Sequence, residues 1–417
     1  MQYYLSGRLS QHLLWLACVA GVAGLLAARA LVALSPVVGV LAVLANPQLR
    51  QAAPRYVRNG AAMRAAAVYV FLLLSGFYTS DWAVWRHELF RGLPWLGVPL
   101  AFTLAVPLTG RQRLAVGALF VLGTAAVGLA TLGQYLLDPA SANQAIGIGQ
   151  NMQAVTQIFH IYFGVMLALS FFWALALRRS GLAGPVLRAA LVVAAAVAAL
   201  TLHVLAYRTG LLMLYSGLLG YAGWLLVRKH WALGLGLLLL LGLGPWVAYH
   251  SLESVRKRAV TTVWDVQQFT LGHDINDYSL ARRLAAAETA TAIIGEHWLL
   301  GVGPADQHAA MADQYRWKDY GLRPANQADV HNQYLHALLG GGLVGLALLL
   351  GVLFWPLTQP WARRNPAICF FILIQATAMV VADMLSLQIG LNLFVFGYGF
   401  LVVAEEARHN SPRSAAD

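Results

Sequence analysis

The segment 114–136, LAVGALFVLGTAAVGLATLGQYL, contains no charged residue over 23 positions. A helix needs about 20 apolar residues to cross the hydrocarbon core of a bilayer, so this segment predicts a membrane-spanning helix. The same composition continues along the chain, which is 59% hydrophobic and only 11% charged over 417 residues. Soluble domains carry roughly 25% charged residues. The sequence therefore predicts an all-α polytopic membrane protein and excludes a soluble enzyme, a disordered chain and a coiled coil.

Apolar blocks between polar breaks predict about twelve membrane-spanning helices, each close to the length that a bilayer requires. They cover approximately residues 11–28, 31–45, 65–79, 92–109, 114–136, 153–177, 189–206, 211–227, 231–249, 332–356, 367–382 and 387–404. Their apolar residues run around the whole helix, as expected for helices in lipid or in a packed bundle. The prediction divides the chain into spans 1–9 in 1–249, a polar loop domain at 250–330, spans 10–12 in 331–404 and a tail at 405–417.

The positions of the basic residues predict the orientation. With the N-terminus in the cytoplasm, 16 Lys and Arg fall in cytoplasmic segments and only 4 in the short outer loops. This bias is typical of the positive-inside rule, so both termini are predicted to be cytoplasmic. The net charge of +11 is then explained by anionic lipid at the inner leaflet. We expect membrane lipid, and no nucleic acid, as the partner of these charges.

Residues 250–330 form the one sizeable polar segment, predicted to lie outside the cytoplasm. Ten of the 17 carboxylates of the chain belong to it. The Ala-rich and Leu-rich stretch 279–294 has helical spacing of its apolar residues, and Asp277 or Ser279 is expected to cap it. A second helix is predicted at about 305–316. The loop is therefore partly helical, and either covers a cavity that opens to lipid or serves as a passive lid or docking surface.

The most specific segment begins the tenth predicted span: residues 331–345, HNQYLHALLGGGLVG. It contains His-Asn, nine residues, Gly, two residues and Gly, and its glycines predict close approach of another helix. His331 at the outer mouth is a candidate general base; the alternative is a structural histidine at the membrane boundary. Asn332 is a candidate to orient the imidazole. His336 points about 140° away around the helix and is expected to support or pack.

Three arginines are candidates for binding an anionic group. Arg208 lies in the turn 207–210, Tyr-Arg-Thr-Gly, where it departs from the positive-inside pattern. Guanidinium binds phosphate bidentately, although snorkelling to lipid headgroups is an equal alternative. Arg282 and Arg283 begin the predicted loop helix and point about 100° apart, so one of them is expected to serve a shared site. The basic run 256–258 is expected to contact headgroups.

The remaining candidates are few. Asp383, at the outer end of the eleventh predicted span, is a candidate to orient an arginine or a histidine. The sequence contains no HExxH or DxD motif and no paired His/carboxylate set at ligand spacing. We therefore expect no metal and no cofactor. Cys18 and Cys369 both lie in apolar runs and are expected to be small buried hydrophobes.

Together these residues resemble the O-antigen ligase family of bacterial polytopic glycosyltransferases. The segment 331–345 fits the family pattern His-Asn-x9-Gly-x2-Gly. Arg208 and a loop arginine, preferably Arg282, fit the family's two functional arginines, although the turn at Arg208 is less rich in glycine than is usual. The resemblance also covers the topology of the whole chain, with both termini inside and one large periplasmic loop before the tenth span.

The resemblance implies a multi-pass protein of the bacterial inner membrane with its active site facing the periplasm. It implies transfer of O-antigen polysaccharide from undecaprenyl diphosphate to lipid A–core oligosaccharide, with inversion at the anomeric carbon. His331 is then the expected general base, and Arg208 and Arg282 the expected diphosphate clamp. Four further residues are expected to support the site: Asn332, Arg283, His336 and Asp383.

Three alternatives remain open. O-antigen polymerases and protein O-oligosaccharyltransferases share the histidine segment. The latter commonly carry an extended C-terminal soluble part, and here few residues follow the last predicted span, so the polymerase is the closer alternative. A lipid-linked sugar flippase is less favoured because flippases need polar residues along a mid-membrane path. His160 and His203 are the few candidates for such a path and are expected to be packed.

Overall fold

The computed structural model describes residues 2–147 and 150–410, and within this part of the chain every regular element is a helix. The helices that precede the loop domain are α1 (Gln2–Leu5), α2 (Arg8–Leu26), α3 (Arg29–Leu44), α4 (Leu49–Arg58), α5 (Gly60–Leu74), α6 (Trp82–Gly92), α7 (Pro94–Leu104), α8 (Gly110–Leu137), α9 (Pro139–Gly147), α10 (His160–Arg178), α11 (Pro185–Val204), α12 (Arg208–Val227) and α13 (Trp231–Ser251). The loop domain contains α14 (Glu253–Thr270), α15 (Ser279–Glu296) and α16 (Gln307–Trp317). The chain continues with α17 (Gln333–Phe354), α18 (Pro360–Arg363), α19 (Pro366–Val381), α20 (Gln388–Tyr398) and α21 (Ala404–His409).

The prediction of an all-α polytopic membrane protein is confirmed. In the described chain, 9 helices are long and apolar enough to cross a membrane, and α3 and α19 are shorter apolar helices. The predicted span 92–109 coincides with α7, which has 11 residues. The count of twelve spans and the orientation in the membrane stay predictions. Of the predicted tail 405–417, residues 411–417 lie outside the described residues, and the earlier ones belong largely to α21.

Helix α8 separates the two ends of the helical bundle, because its 28 residues extend over about 42 Å. Near its start, the Gln11 side chain donates to the Pro107 carbonyl at 2.6 Å, and Arg113 pairs with Glu405 at 3.4 Å. Beyond its end, α9 packs against α14 of the loop domain. The first and last described helices therefore share one end of the bundle. We call this the terminal end, and the end beside the loop domain the loop end.

The loop domain packs around the alanine-rich face of α15. Both predicted helices, 279–294 and 305–316, are confirmed as α15 and α16. The sequence did not predict α14, which is separated from α13 by a single residue. The prediction that Asp277 or Ser279 caps α15 is wrong. The buried Asp265 carboxylate of α14 accepts a 2.9 Å hydrogen bond from the Leu280 amide instead, because α14 packs along the start of α15.

The glycines of α17 make room for a loop as well as for a helix. Gly342 has φ 56° and ψ −152°, which interrupts α17. The loop segment 298–303 enters there: the Val302 amide donates to the Leu339 carbonyl and the Leu343 amide to the Trp298 carbonyl, both at 2.9 Å. At Gly342 the neighbour is therefore loop backbone, whereas the expected helix contact occurs nearby, with Phe71 of α5 beside Gly341.

Replacement of Gly342 by alanine is expected to destabilise the protein. The added Cβ would lie 2.2 Å from the Leu299 carbonyl carbon, and φ 56° is unfavourable for any residue with a Cβ. Strain and overpacking together predict a loss of about 2–5 kcal/mol. Thermal unfolding in detergent measures it, with Gly351→Ala on the same helix as the control, since no atom lies within 4 Å of that Cβ. A Gly342→Ala protein as stable as this control would contradict the explanation.

Candidate active site

Arg208 is presented by a tight turn between α11 and α12. Ala206 adopts φ 47°, a conformation that non-glycine residues rarely use and that tends to be kept at functional sites. The next residue, Tyr207, is buried and donates from its hydroxyl to the Met152 carbonyl at 2.6 Å. Arg208 is then the first residue of α12, where its Nη1 donates to the Thr262 hydroxyl of α14 at 2.9 Å. The turn therefore points this arginine toward the loop domain.

His331 lies just before α17, and a hydrogen bond to the backbone two residues earlier orients its side chain. Its Nδ1 is 2.8 Å from the Asp329 carbonyl oxygen. A carbonyl oxygen only accepts, so Nδ1 carries the proton and a neutral ring keeps its lone pair on Nε2. Next to it, the Asn332 Oδ1 accepts hydrogen bonds from the Tyr334 and Leu335 amides at the start of α17. Asn332 thus holds the end of α17 in place and with it the position of the imidazole.

Arg282 and Arg283 both lie in the first turn of α15, partly buried. Arg282 Nη1 donates to the Asn326 side chain at 2.9 Å. Arg283 Nη1 makes a longer contact of 3.4 Å with the Val381 carbonyl at the end of α19. The two guanidinium groups therefore diverge, one toward the segment before α17 and the other toward the spans.

One cavity brings the histidine and the three candidate arginines together. It has a volume of about 280 Å³, and Arg208, Arg282, Arg283 and His331 all line it. Its other lining residues are Asn151, Phe159, His160, Thr209, Ser279 and Ala328. The elements that meet here are far apart in the sequence, so their convergence is a property of the tertiary structure. We call this space the arginine cavity.

An apolar groove adjoins the arginine cavity. Its volume is about 350 Å³, and it shares Arg208, Arg283 and His331 with that cavity. Most of its other lining residues are aliphatic: Leu212, Leu280, Leu284, Ala287, Val330, Leu335, Val380 and Val381. A molecule with a polar group and a long hydrocarbon chain could place one part in each space. We call this space the aliphatic groove.

A fourth arginine, Arg258, lies beside the cavity. The sequence assigned it to lipid headgroups, but its side chain is buried, with 3% exposure. Its Nη2 donates to the Asn151 side chain at 2.9 Å, whereas Nε and Nη1 find no acceptor among the described residues. Buried donors without acceptors are rare in folded proteins and call for a ligand or a water. No local pattern separates Arg258 from its basic neighbours, because only the packing of α14 buries its side chain.

Positive charge dominates this region. Burial, and then the guanidinium group of Arg208, lower the pKa of Arg258 to about 10. Burial and Arg208 also lower the pKa of Arg283, which the Asp383 carboxylate opposes. Like charges at close range disfavour the charged form, and a bound anion would relieve the repulsion. Both groups remain cationic near neutral pH, so the cavity is suited to an anion.

Two of the candidate residues have different positions. Asp383 lies between α19 and α20 and acts electrostatically on Arg283. His336 lines a separate cavity of about 150 Å³, together with Glu88, Arg91 and Gln333.

His160, expected to be packed, lines the arginine cavity instead, because α10 begins at this residue. His203 is packed as expected, with its Nε2 2.8 Å from the Tyr215 hydroxyl.

Within 2–147 and 150–410, no three His, Cys, Asp or Glu side chains form a group that could hold a metal ion.

Comparison with known families matches residues 193–350 to the family described as O-antigen ligase. The matched range contains Arg208, the loop domain and the segment 331–345. A comparison with curated proteins finds no match to the chain.

Proposed function

We propose that this chain, whose residues 193–350 match the O-antigen ligase family, transfers O-antigen polysaccharide from undecaprenyl diphosphate to lipid A–core oligosaccharide. One observation carries this proposal: His331 and three arginines line a single cavity that adjoins an aliphatic groove. A lipid diphosphate donor needs a cationic site, a hydrocarbon site and a base near its sugar. The membrane is the bacterial inner membrane in this proposal, and the loop end faces the periplasm.

The arginines would hold the diphosphate. Arg208 and Arg283 line both spaces, so they would bind the phosphate nearest the polyprenyl chain. Arg282 lines the arginine cavity but not the aliphatic groove, and would bind the phosphate that carries the sugar. Arg258, with two buried donors and no acceptor among the described residues, would add charge behind them. Negative charge develops on the diphosphate as the sugar leaves, and fixed guanidinium groups stabilise that charge.

The aliphatic groove would hold the first part of the polyprenyl chain. Leucine and valine side chains of α12, α15, α17 and α19 contribute most of its surface. Because the polyprenyl chain comes from lipid hydrocarbon, its binding there depends on close packing against these side chains. The groove would therefore fix the lipid end of the donor while the glycan extends under the loop domain.

His331 would act as the general base. Nδ1 donates to the Asp329 carbonyl, so Nε2 is free to accept the proton of the acceptor sugar hydroxyl. The acceptor oxygen, as it loses its proton, attacks the anomeric carbon. The bond from that carbon to the diphosphate oxygen breaks, and the configuration at the carbon inverts. The proton ends on His331, and the negative charge ends on polyprenyl diphosphate among the arginines. Asn332 would position the base through its cap of α17.

Asp383 and His336 would support the site from outside the arginine cavity. Asp383 would fix the charge and orientation of Arg283, on which its carboxylate acts. His336, near the Ser386 hydroxyl at 3.3 Å, would hold α17 against the segment that follows α19.

The test uses purified protein with undecaprenyl-diphosphate-linked glycan and lipid A–core acceptor, in EDTA and without nucleotide. A ladder of high-mass lipopolysaccharide on a gel is the expected result. Elongation of the lipid-linked glycan without ligation would instead make the protein a polymerase. If a folded preparation forms neither product, the proposal fails, and a flippase becomes the better explanation.

Alanine at Arg282 or Arg283 is expected to lower kcat/KM by about tenfold to a hundredfold, the usual value of a hydrogen bond to a charged group. The assay above measures both variants beside Arg316→Ala, an exposed arginine of the same domain that pairs with Asp313. We expect the control to match wild type. If only one of the two variants loses activity, the other arginine does not contact the diphosphate.

A further inference from the structure

Three arginines line a second cationic pocket, at the terminal end of the bundle. Arg55 comes from α4, Arg113 from the first turn of α8, and Arg408 from α21. The pocket has a volume of about 40 Å³. A buried water needs about 10–15 Å³ on this measure, so the space suits a group of a few oxygen atoms and is too small for a sugar chain. It lies at the opposite end of α8 from the loop domain and is separate from the arginine cavity.

The positive charge of this pocket is only partly compensated. Arg113 pairs with Glu405 at 3.4 Å, and Arg408 pairs with the same carboxylate. One carboxylate therefore serves two guanidinium groups, while Arg55 is exposed on the third side. The Arg113 Nε is buried and has no acceptor among the described residues. Among the described residues, three arginines share one carboxylate at this pocket, and an added anion would balance the excess positive charge.

The rest of the lining is mostly apolar. Leu14 of α2, Phe102 of α7 and Phe400 contribute to it, and the Arg113 guanidinium carbon lies 5.9 Å from the Phe400 ring centroid. Helix α4, which carries Arg55, also carries Arg50 and Arg58 and no acidic residue. Such a basic amphipathic helix is typical of a membrane surface. A ligand of this pocket therefore meets guanidinium groups and hydrocarbon side chains together.

We propose that this pocket binds the headgroup phosphate of an anionic phospholipid from the leaflet at the terminal end. Basic pockets between membrane helices recognise anionic headgroups in this way. The apolar lining favours a lipid over free phosphate, because the half-buried Phe400 ring offers a hydrocarbon contact beside the guanidinium groups. The phosphate bridges α4, α8 and α21, which lie far apart in the sequence. A ligand that binds only the folded protein stabilises it by mass action.

The test is lipid-dependent thermal stability of delipidated protein in a neutral detergent. Phosphatidylglycerol is the probe, and phosphatidylcholine and glycerol 3-phosphate are the comparison ligands. We expect Tm to rise with phosphatidylglycerol alone. A hydrogen bond from a guanidinium group to the phosphate contributes about a tenfold change in affinity. Arg55→Gln should therefore raise the half-saturating lipid concentration about tenfold, and Arg55→Gln combined with Arg113→Gln roughly 100-fold.

Arg58→Gln is the matched control, because Arg58 lies on the same helix as Arg55 but does not line the pocket. It should respond to the lipid as wild type does. Arg55 is exposed, so its variant is expected to fold even if the double variant does not. An unchanged response of Arg55→Gln would overturn the proposal. So would an equal rise in Tm with glycerol 3-phosphate, which would identify a free phosphate site, or with phosphatidylcholine, which would identify a general lipid effect.

Discussion

His331→Ala is expected to lower the rate of glycan transfer by about 10²–10⁴-fold, the usual contribution of a general base. The reason is local: Nδ1 donates to the Asp329 carbonyl, so Nε2 is the group left to accept a proton. Donor binding should change little, because the arginines that line the same cavity remain. Single-turnover transfer with saturating donor measures the chemical step, and a separate equilibrium titration of the lipid-linked donor measures binding.

Two further variants make this result specific. His331→Gln keeps a side-chain donor for the Asp329 carbonyl but has no basic nitrogen, so it should be as inactive as His331→Ala. His297→Ala removes an exposed histidine at the end of α15 and should be fully active. Activity of His331→Gln near that of wild type would show that the residue holds the segment in place and is not the base.

Arg208→Ala is expected to lower kcat by about 10²–10³-fold, as does loss of one group that stabilises developing charge in other enzymes. Arg208 is the central residue of the cluster: it lines both the arginine cavity and the aliphatic groove, and it influences the pKa of Arg258 and Arg283. Arg208→Lys keeps the charge without the bidentate geometry and should recover only part of the rate. The same single-turnover assay measures both.

The matched control is Arg228→Ala, at the other end of α12. The Arg228 guanidinium lies over the Trp224 ring at 5.6 Å from its centroid, so the variant removes an arginine of the same helix without touching the cavity. We expect wild-type turnover. A normal kcat for Arg208→Ala, with folded protein and normal ligation products, would remove Arg208 from the clamp and leave Arg282, Arg283 and Arg258 to stabilise the leaving group.

Much of the fold could be predicted from composition alone. The segment 114–136 became α8, and the Ala-rich stretch 279–294 became α15, since each follows from a strong local pattern. Helix α14 was missed because its apolar residues are interrupted by charged ones, and its stability depends on packing against α9 and α15. The cap of α15 was missed for the same reason, as Asp265 comes from that unpredicted helix.

The candidate site divides along similar lines. His331 was recognisable from the His-Asn segment that begins a predicted span, and Arg208 from its departure from the positive-inside pattern. The Arg282–Arg283 pair stood out at the start of the predicted loop helix. Arg258 was misassigned because its run of three basic residues resembles a headgroup contact, and only the packing of α14 buries it. The glycines at 340–342 predicted a close neighbour, but the neighbour at Gly342 is the 298–303 loop, whose identity no local pattern indicates.

The sequence by itself determined the class of protein, the location of most helices and the residue types able to bind a diphosphate and accept a proton. These depend on local hydrophobicity and on the functional groups of single side chains, which can be read without knowledge of their neighbours in space. The tertiary structure decided that α10, α12, α15 and the segment before α17 meet at one cavity, and that an aliphatic groove opens beside it. Convergence depends on long-range packing, because each arginine gains its role from cations and carbonyls that are distant in the chain.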